Sequence, residues 1–216
     1  ASTMCHIAAI PRERRRVELS KNLLAHRHRL GCHRSVRWRM GLSVALIRAV
    51  GGATAMKMAE LRAALTDAGL VNVATLQVAG NVVFDEALSG VDDPAKLVRE
   101  TVRRRFGLDL AVIVRSHDDL TDAMRRHPFL DDAAPSRVSI TFLDEPPSPE
   151  LAATVDHDQF EVERFAVSGA EIFLCHPDGQ GTSKLTLAWL ERRLSVVGTA
   201  RNVNTINKLI EMTTPT

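Results

Sequence analysis

From residue 43 onward, short unbroken apolar runs take turns with stretches whose apolar residues recur every three or four positions. Ser43-Val44-Ala45-Leu46-Ile47 is such a run, the pattern of a strand buried on both faces. It stops at Arg48, and Gly51-Gly52 marks a turn. Met58, Leu61, Leu65 and Gly69 fall at helical spacing and predict an amphipathic helix over 56–69 with a glycine stop. Strands are predicted over 71–78 and 82–84, joined tightly through Ala79-Gly80-Asn81. Pro94 opens the next helix, which carries Leu97, Val98, Val102 and Phe106 and ends at Gly107. A strand over 110–115 completes β-α-β-β-α-β, the order of the ferredoxin-like fold. A connecting helix over 117–127 leads to Pro128.

The same grammar restarts at residue 137. A strand is predicted over 137–143, then a helix over 148–155 with Ser148 as cap and Pro149 at its first position. A hairpin follows, 163–167 and 171–175, turning through Ser168-Gly169-Ala170. Helices are predicted over 183–194 and 202–212. The second half therefore reads β-α-β-β-α and then a helix, where the first half has its fourth strand. The expectation is an α+β protein of two ferredoxin-like subdomains in tandem. The first covers 40–130 with the connecting helix; the second covers 131–216 and ends in an extra helix, with a hinge at 131–135.

Composition changes this picture at one end only. The 216 residues are 45% hydrophobic and 25% charged, ordinary for a globular protein. No apolar run approaches the roughly 18 residues of a membrane span, so no membrane association is expected. The net charge of +2 divides unevenly: residues 1–39 carry +8 and the remainder −6. A mildly acidic body argues against a general nucleic-acid surface; the basic arm is the part suited to phosphate contacts. Three scattered cysteines, Cys5, Cys32 and Cys175, give no disulfide framework and suit a reducing compartment, so a cytoplasmic location is expected. No secretory signal is recognisable at the start.

The first 39 residues hold Arg14-Arg15-Arg16, His6, His26, His28 and His33, and two Cys-His pairs. Four readings stand: an extraneous or upstream stretch with Met40 as the natural start, a basic arm for nucleic acid or an acidic partner, a targeting helix, and a zinc site. The Cys and His spacing matches no closed structural zinc site, so no metal is expected.

Three places in the body combine glycine, asparagine and basic residues. Cys175-His176-Pro177-Asp178-Gly179-Gln180-Gly181-Thr182-Ser183-Lys184 runs from a strand into a predicted helix start. Backbone N–H groups there, with Lys184 and the helix dipole, would suit a phosphate or carboxylate, with Gly179 and Gly181 permitting close approach. The plain alternative is a glycine turn with Ser183 as cap and a solvated lysine; the spacing is not that of a P-loop. Arg201-Asn202-Val203-Asn204-Thr205-Ile206-Asn207-Lys208-Leu209 places three asparagines, with Arg201 and Lys208, where a helix begins. One asparagine is needed as a cap, and ordinary capping competes with ligand binding for the rest. Arg48, after four apolar residues, is either an anion-binding residue or half of an ion pair. Cys175 reads as a core thiol more readily than a nucleophile. Asp156-His157-Asp158 reads as a solvated helix end rather than a metal cluster, and Arg103-Arg104-Arg105 as a solvated helix face. Stacking on RNA lacks parts: there is no tyrosine, and Phe84 and Phe173 are the only candidates on central strands.

Together these segments resemble a known family. Val44-Ala45-Leu46-Ile47-Arg48 with Gly51-Gly52 and Met58-Ala59-Glu60-Leu61-Arg62 is similar to the opening of the family called domain of unknown function 1697. Gly80-Asn81-Val82-Val83-Phe84, the loop from Gly179 to Leu185, and Thr199-Ala200-Arg201-Asn202-Val203-Asn204-Thr205 follow in the family's order. The resemblance spans 42–212 and implies two ferredoxin-like subdomains in a bacterial cytoplasmic protein. It carries no established activity. The sequence departs from the pattern in a loop after Arg48 that is about two residues short, and in Ala79, where a serine is usual.

The functional expectation is a small anionic or phosphorylated ligand bound through Gly179, Gly181, Ser183 and Lys184, with Arg48, Asn81, Arg201, Asn202 and Asn204 completing a polar site. No cofactor is implied. A nucleic-acid module using the basic arm and a protein-interaction domain without a small ligand are the alternatives. Fold alone does not choose among them.

Overall fold

The first apolar run becomes a central strand. In the computed structural model, which describes residues 41–156, 159–181 and 183–214, the first half holds β1 (Leu42–Ile47), α1 (Met58–Asp67), β2 (Val71–Leu76), β3 (Asn81–Asp85), the short α2 (Glu86–Ser89), α3 (Pro94–Phe106), β4 (Val112–Ser116) and α4 (His117–Arg126). The second half holds β5 (Val138–Leu143), α5 (Pro149–Ala153), β6 (Arg164–Ser168), β7 (Glu171–Cys175), α6 (Leu187–Leu194), β8 (Gly198–Asn202) and α7 (Val203–Thr213). Each half forms a four-stranded antiparallel sheet, ordered β2-β3-β1-β4 and β6-β7-β5-β8. The chain is thus α+β, and residues 39–216 form one compact unit.

Why the central strands read as unbroken apolar runs is clear from side-chain parity. Successive residues of a strand face opposite sides. Ala45 and Ile47 of β1 pack outward against Leu61 and Leu65 of α1 and Val98 and Val102 of α3. Val44 and Leu46 face the other way, into a core shared with Ile140 and Phe142 of β5, Phe173 of β7, Leu120 of α4, and Ile206 and Leu209 of α7. On the far side, Leu143, Ile172 and Leu174 pack under α6 through Leu190 and Leu194. Both sheets are therefore covered on both faces, and α4 and α7 belong to the common middle. α7 packs against β1 and β3 of one sheet and β5 and β8 of the other.

Local signals set the helix ends. Asp93 accepts from Lys96 N–H at 3.0 Å ahead of Pro94. Ser116 and Asp119 form a reciprocal capping box at α4. Asn202 accepts from Thr205 N–H at 2.9 Å to start α7. The three arginines Arg103, Arg104 and Arg105 lie exposed in the last turn of α3, where cations complement the helix dipole.

Two expectations are corrected. The second half has its fourth strand after all: β8 pairs with β5 from Ser139↔Asn202 to Leu143↔Gly198, and α7 follows it. Its sequence, Gly-Thr-Ala-Arg-Asn, carries no apolar alternation, because its ladder is backbone and part of it borders a cleft. The helix expected from Ser183 begins instead at Leu187, with Thr186 as cap accepting from Trp189 N–H at 3.2 Å.

Two arginines clasp the halves together reciprocally. Arg115 of β4 reaches from the first sheet to Leu143 O at 2.6 Å. Arg201 of β8 reaches from the second sheet to Ile47 O at 2.9 Å and Ala79 O at 3.1 Å.

Candidate functional site

Arg201 lies at the floor of a cleft of about 650 Å³ between the halves. Its five donors are all engaged: Nε to Asn81 Oδ1 at 2.5 Å, Nη1 to Thr199 Oγ1 and Ala200 O, and Nη2 to the two carbonyls of the first half. Every acceptor is neutral. Burial without a carboxylate brings its pKa down from the ordinary arginine range to about 10, so it remains a cation at neutral pH.

Around it the cleft is walled by residues from seven places in the chain. Arg48, Ala49 and Val50 follow β1, and Gln77 and Ala79 come from the β2–β3 turn. Ser136, Arg137 and Ser139 belong to the entry and start of β5, Gly179 and Gln180 to the loop after β7, Thr199 to Asn202 to β8, and Leu187 and Thr205 to α6 and α7. Among the described residues, three arginines and no carboxylate line it. Arg48 is tied to Glu191 of α6 at 2.8 Å, and the other oxygen of that carboxylate accepts from Gly198 N–H at 2.8 Å. The guanidinium of Arg137 is exposed and, among the described residues, makes no side-chain hydrogen bond or ion pair. It lies against Gly179, where any side chain would collide with it. Ser139 is 2% exposed, and its Oγ has no hydrogen-bond partner, which is unusual for a buried hydroxyl.

The expected site residues divide. Arg48, Gly179, Arg201 and Asn202 line the cleft. Asn81 is fully buried behind it, holding Arg201 Nε and donating to Leu76 O at 3.1 Å. Gly181, Ser183 and Lys184 do not line it. Ser183 is occupied locally: its Oγ accepts from Leu185 N–H at 3.0 Å, and its bond to Glu163 holds that carboxyl below its usual range. The backbone N–H groups of Gly179, Ser183 and Leu185 are likewise taken, by His176 O, Gln180 O and Ser183 Oγ. The free helix N-terminus expected at this loop is therefore absent; a turn fills the place. Asn204 is exposed on the first turn of α7, beside Lys208 in an adjoining depression of about 510 Å³. Arg48 is an ion-pair residue that also lines the cleft.

Arg137, Ser139, Gln77 and Gln180 were not expected. Ser139 leaves one trace in the sequence, a hydroxyl inside a strand whose six residues are otherwise almost all suited to burial. Ala49 and Val50 of the loop after Arg48, and Ala79, fall on the cleft wall.

Other candidates resolve structurally. Cys175 is fully buried, and burial pushes its thiol above the ordinary range, away from nucleophile character. Phe84 and Phe173 are core residues on opposite sheets, and the sheet faces that would stack bases are covered. Among the described residues no group of His, Cys, Asp or Glu could hold a metal, and no helix is long and apolar enough to cross a membrane. His157, Asp158, Thr182 and the Cys and His residues of positions 1–39 lie outside the described residues.

Comparison with known proteins adds a family and a fold. A family model described as a protein of unknown function, DUF1697, matches residues 40–173. No curated protein matches. Among solved structures, the conserved bacterial protein SP0830 from Streptococcus pneumoniae is similar with a TM-score of 0.60 at 24% identity, over 81% of this chain and 98% of that chain. At that identity the likeness is one of fold.

Proposed function

We propose that this chain, which belongs to the DUF1697 family of proteins of unknown function, binds a small anionic ligand in the cleft above Arg201. The observation that carries the reading is the charge of the walls: Arg48, Arg137 and Arg201, with no carboxylate among the described lining residues. A largely buried cation whose acceptors are all neutral projects its field into the cleft, where low dielectric strengthens it. Arg137 offers donors at the rim. The binding group differs from the one expected at sequence level: the cleft takes the place of the glycine loop, and Gly179 serves it by leaving room for Arg137.

Each half is read as a ferredoxin-like unit, 40–130 and 131–216. The β-α-β-β-α-β order and the matching strand orders of the two sheets support this. A cytoplasmic location is read from the sparse cysteines and the unpaired Cys175.

The test is thermal unfolding of the chain against nucleotides, sugar phosphates and short oligonucleotides. A ligand at about 100 times its Kd adds roughly 2.7 kcal/mol, which for a protein of this size raises the midpoint by about 5 to 10 °C. The expected result is a shift with a phosphorylated small molecule that is lost in Arg137→Ala, an exposed position whose change leaves the core intact. No shift with any compound overturns the reading. A shift only with oligonucleotides, weakening steeply with salt and lost without residues 1–39, assigns binding to the basic arm instead.

A further inference from the structure

The two halves repeat one another residue by residue at the clasps, and one pair of equivalent positions breaks the repeat. Strand register defines the equivalence. Arg115 lies opposite Val44 of β1, and Arg201 opposite Ile140 of β5. Two residues further along the same central strands, Leu46 faces Asn81 and Phe142 faces Glu171. The last residue of each central strand donates its N–H to the hairpin turn beside it, Ile47 to Gly80 O and Leu143 to Ala170 O. Each arginine crosses to the other half and binds the carbonyl of that last residue, Arg201 to Ile47 O and Arg115 to Leu143 O.

At the side chain each arginine meets in the other half, the two clasps differ in charge. Arg115 meets the carboxylate of Glu171, Nε to Oε1 at 3.8 Å, and Arg126 binds the other oxygen at 2.9 Å. Arg201 meets the amide of Asn81 in the equivalent place. One clasp is neutralised from within; the other keeps an uncompensated cation. The cleft of about 650 Å³ is on the uncompensated side, and Glu171 lines none of the cavities described above.

We propose that an oxyanion group of the ligand, a phosphate or a carboxylate, supplies at Arg201 the negative charge that Glu171 supplies at Arg115. This rests on the anion-binding reading of the cleft and specifies its chemistry. Arg201 contributes charge rather than donors, since all five of its N–H groups are engaged. The hydrogen bonds to the oxyanion come from Arg137 at the rim. Asn81 is then the residue that keeps the site vacant for an exogenous anion.

Asn81→Asp tests this by giving the chain its own carboxylate at the deficient clasp. The probes are inorganic phosphate and acetate, titrated at constant ionic strength against chloride, with the midpoint of thermal unfolding read for the original chain and the variant. Acetate and phosphate are separate arms, so the one that acts identifies the class of oxyanion. The expected result is a rise in midpoint for the original chain and an affinity about tenfold or more weaker in the variant. Stability in chloride is not the readout, because the substitution also removes the amide donor to Leu76 O. An equal response in both proteins overturns this inference and leaves the anion-binding reading standing. No response in the original chain overturns both. Should the variant fail to fold, the Arg201 Nε–H resonance of the original chain is followed during the titration: a shift supports the inference, and an unmoved resonance overturns it.

Discussion

Gly80→Ala should destabilise the protein far more than Gly169→Ala, although both glycines sit in hairpin turns at left-handed φ, 70° and 61°. The left-handed region costs an alanine about 1–2 kcal/mol at either site. At Gly169 nothing more is added, since the nearest atom to a new Cβ is Glu171 Oε2 at 3.7 Å, an ordinary contact. At Gly80 the Cβ would meet Val50 Cγ2 at 2.5 Å, and Ile47 Cβ and Ile47 O at 2.9 Å. Ile47 is a fully buried residue of the central strand, held by Gly80 O on one side and by Arg201 on the other. Neither neighbour yields cheaply, and overpacking of this kind adds about 1–3 kcal/mol. The totals are about 2–5 kcal/mol for Gly80→Ala and about 1–2 kcal/mol for Gly169→Ala. Urea unfolding of both variants, with equal m values, measures the difference directly. If Gly80→Ala proves no more costly than Gly169→Ala, the close approach of the β2–β3 turn to β1 is not rigid. The reasoning that places Ala79 O and Ile47 O as fixed acceptors for Arg201 then fails with it.

Three further outcomes are expected. Burial holds the His127 imidazole below its ordinary pKa, and as a neutral ring it donates from Nε2 to Ser139 O at 3.2 Å while Nδ1 accepts from Phe129 N–H at 3.1 Å. The unfolded chain then binds the proton first, so stability falls as pH drops below about 6.5 and levels off below the folded pKa; His127→Gln should flatten that slope in urea unfolding followed across pH 4–8, about two units either side of the ordinary histidine value. Arg48→Ala should cost less than about 1 kcal/mol and less still in high salt, because the ion pair is partly exposed and Gly198 N–H continues to hold Glu191; a larger, salt-independent loss would show that Arg48 does more than pair. Cys175 should resist alkylation in the native protein and react on unfolding, read by mass spectrometry of its own peptide; labelling at native rates would contradict its burial.

Much of the fold could be read because burial on both faces writes a strand as a run of successive apolar residues, as in Val44–Ile47 of β1 and Ile172–Cys175 of β7. β8 escaped for the opposite reason. It is an edge strand whose Thr199, Arg201 and Asn202 are spent on the clasp, the cleft and a helix cap, so no periodicity marks it. α6 begins four residues later than its glycine loop implied, because Ser183 bonds to Leu185 and Thr186 takes the capping role. At the site, Arg48, Gly179, Arg201 and Asn202 were legible as basic, glycine or asparagine residues at element ends. Arg137 and Ser139 became part of it only through the pairing of β5 with β8. The contact of Asn81 with Arg201 joins residues 120 apart in sequence, and no local pattern encodes it.

The position of α7 between the sheets has a consequence for how the chain is made. Val44, Leu46 and Val83 of the first sheet bury their inner side chains with Ile206 and Leu209. Those partners are synthesised roughly 160 residues after β1, which at about 5–20 residues per second is some 8 to 30 s of translation. During that interval the inner face of the first sheet, with apolar side chains on adjacent strands, has no α7 to cover it. A ribosome-bound chain halted before residue 203 should therefore present this face to chaperones, and release of the last helix should end that exposure.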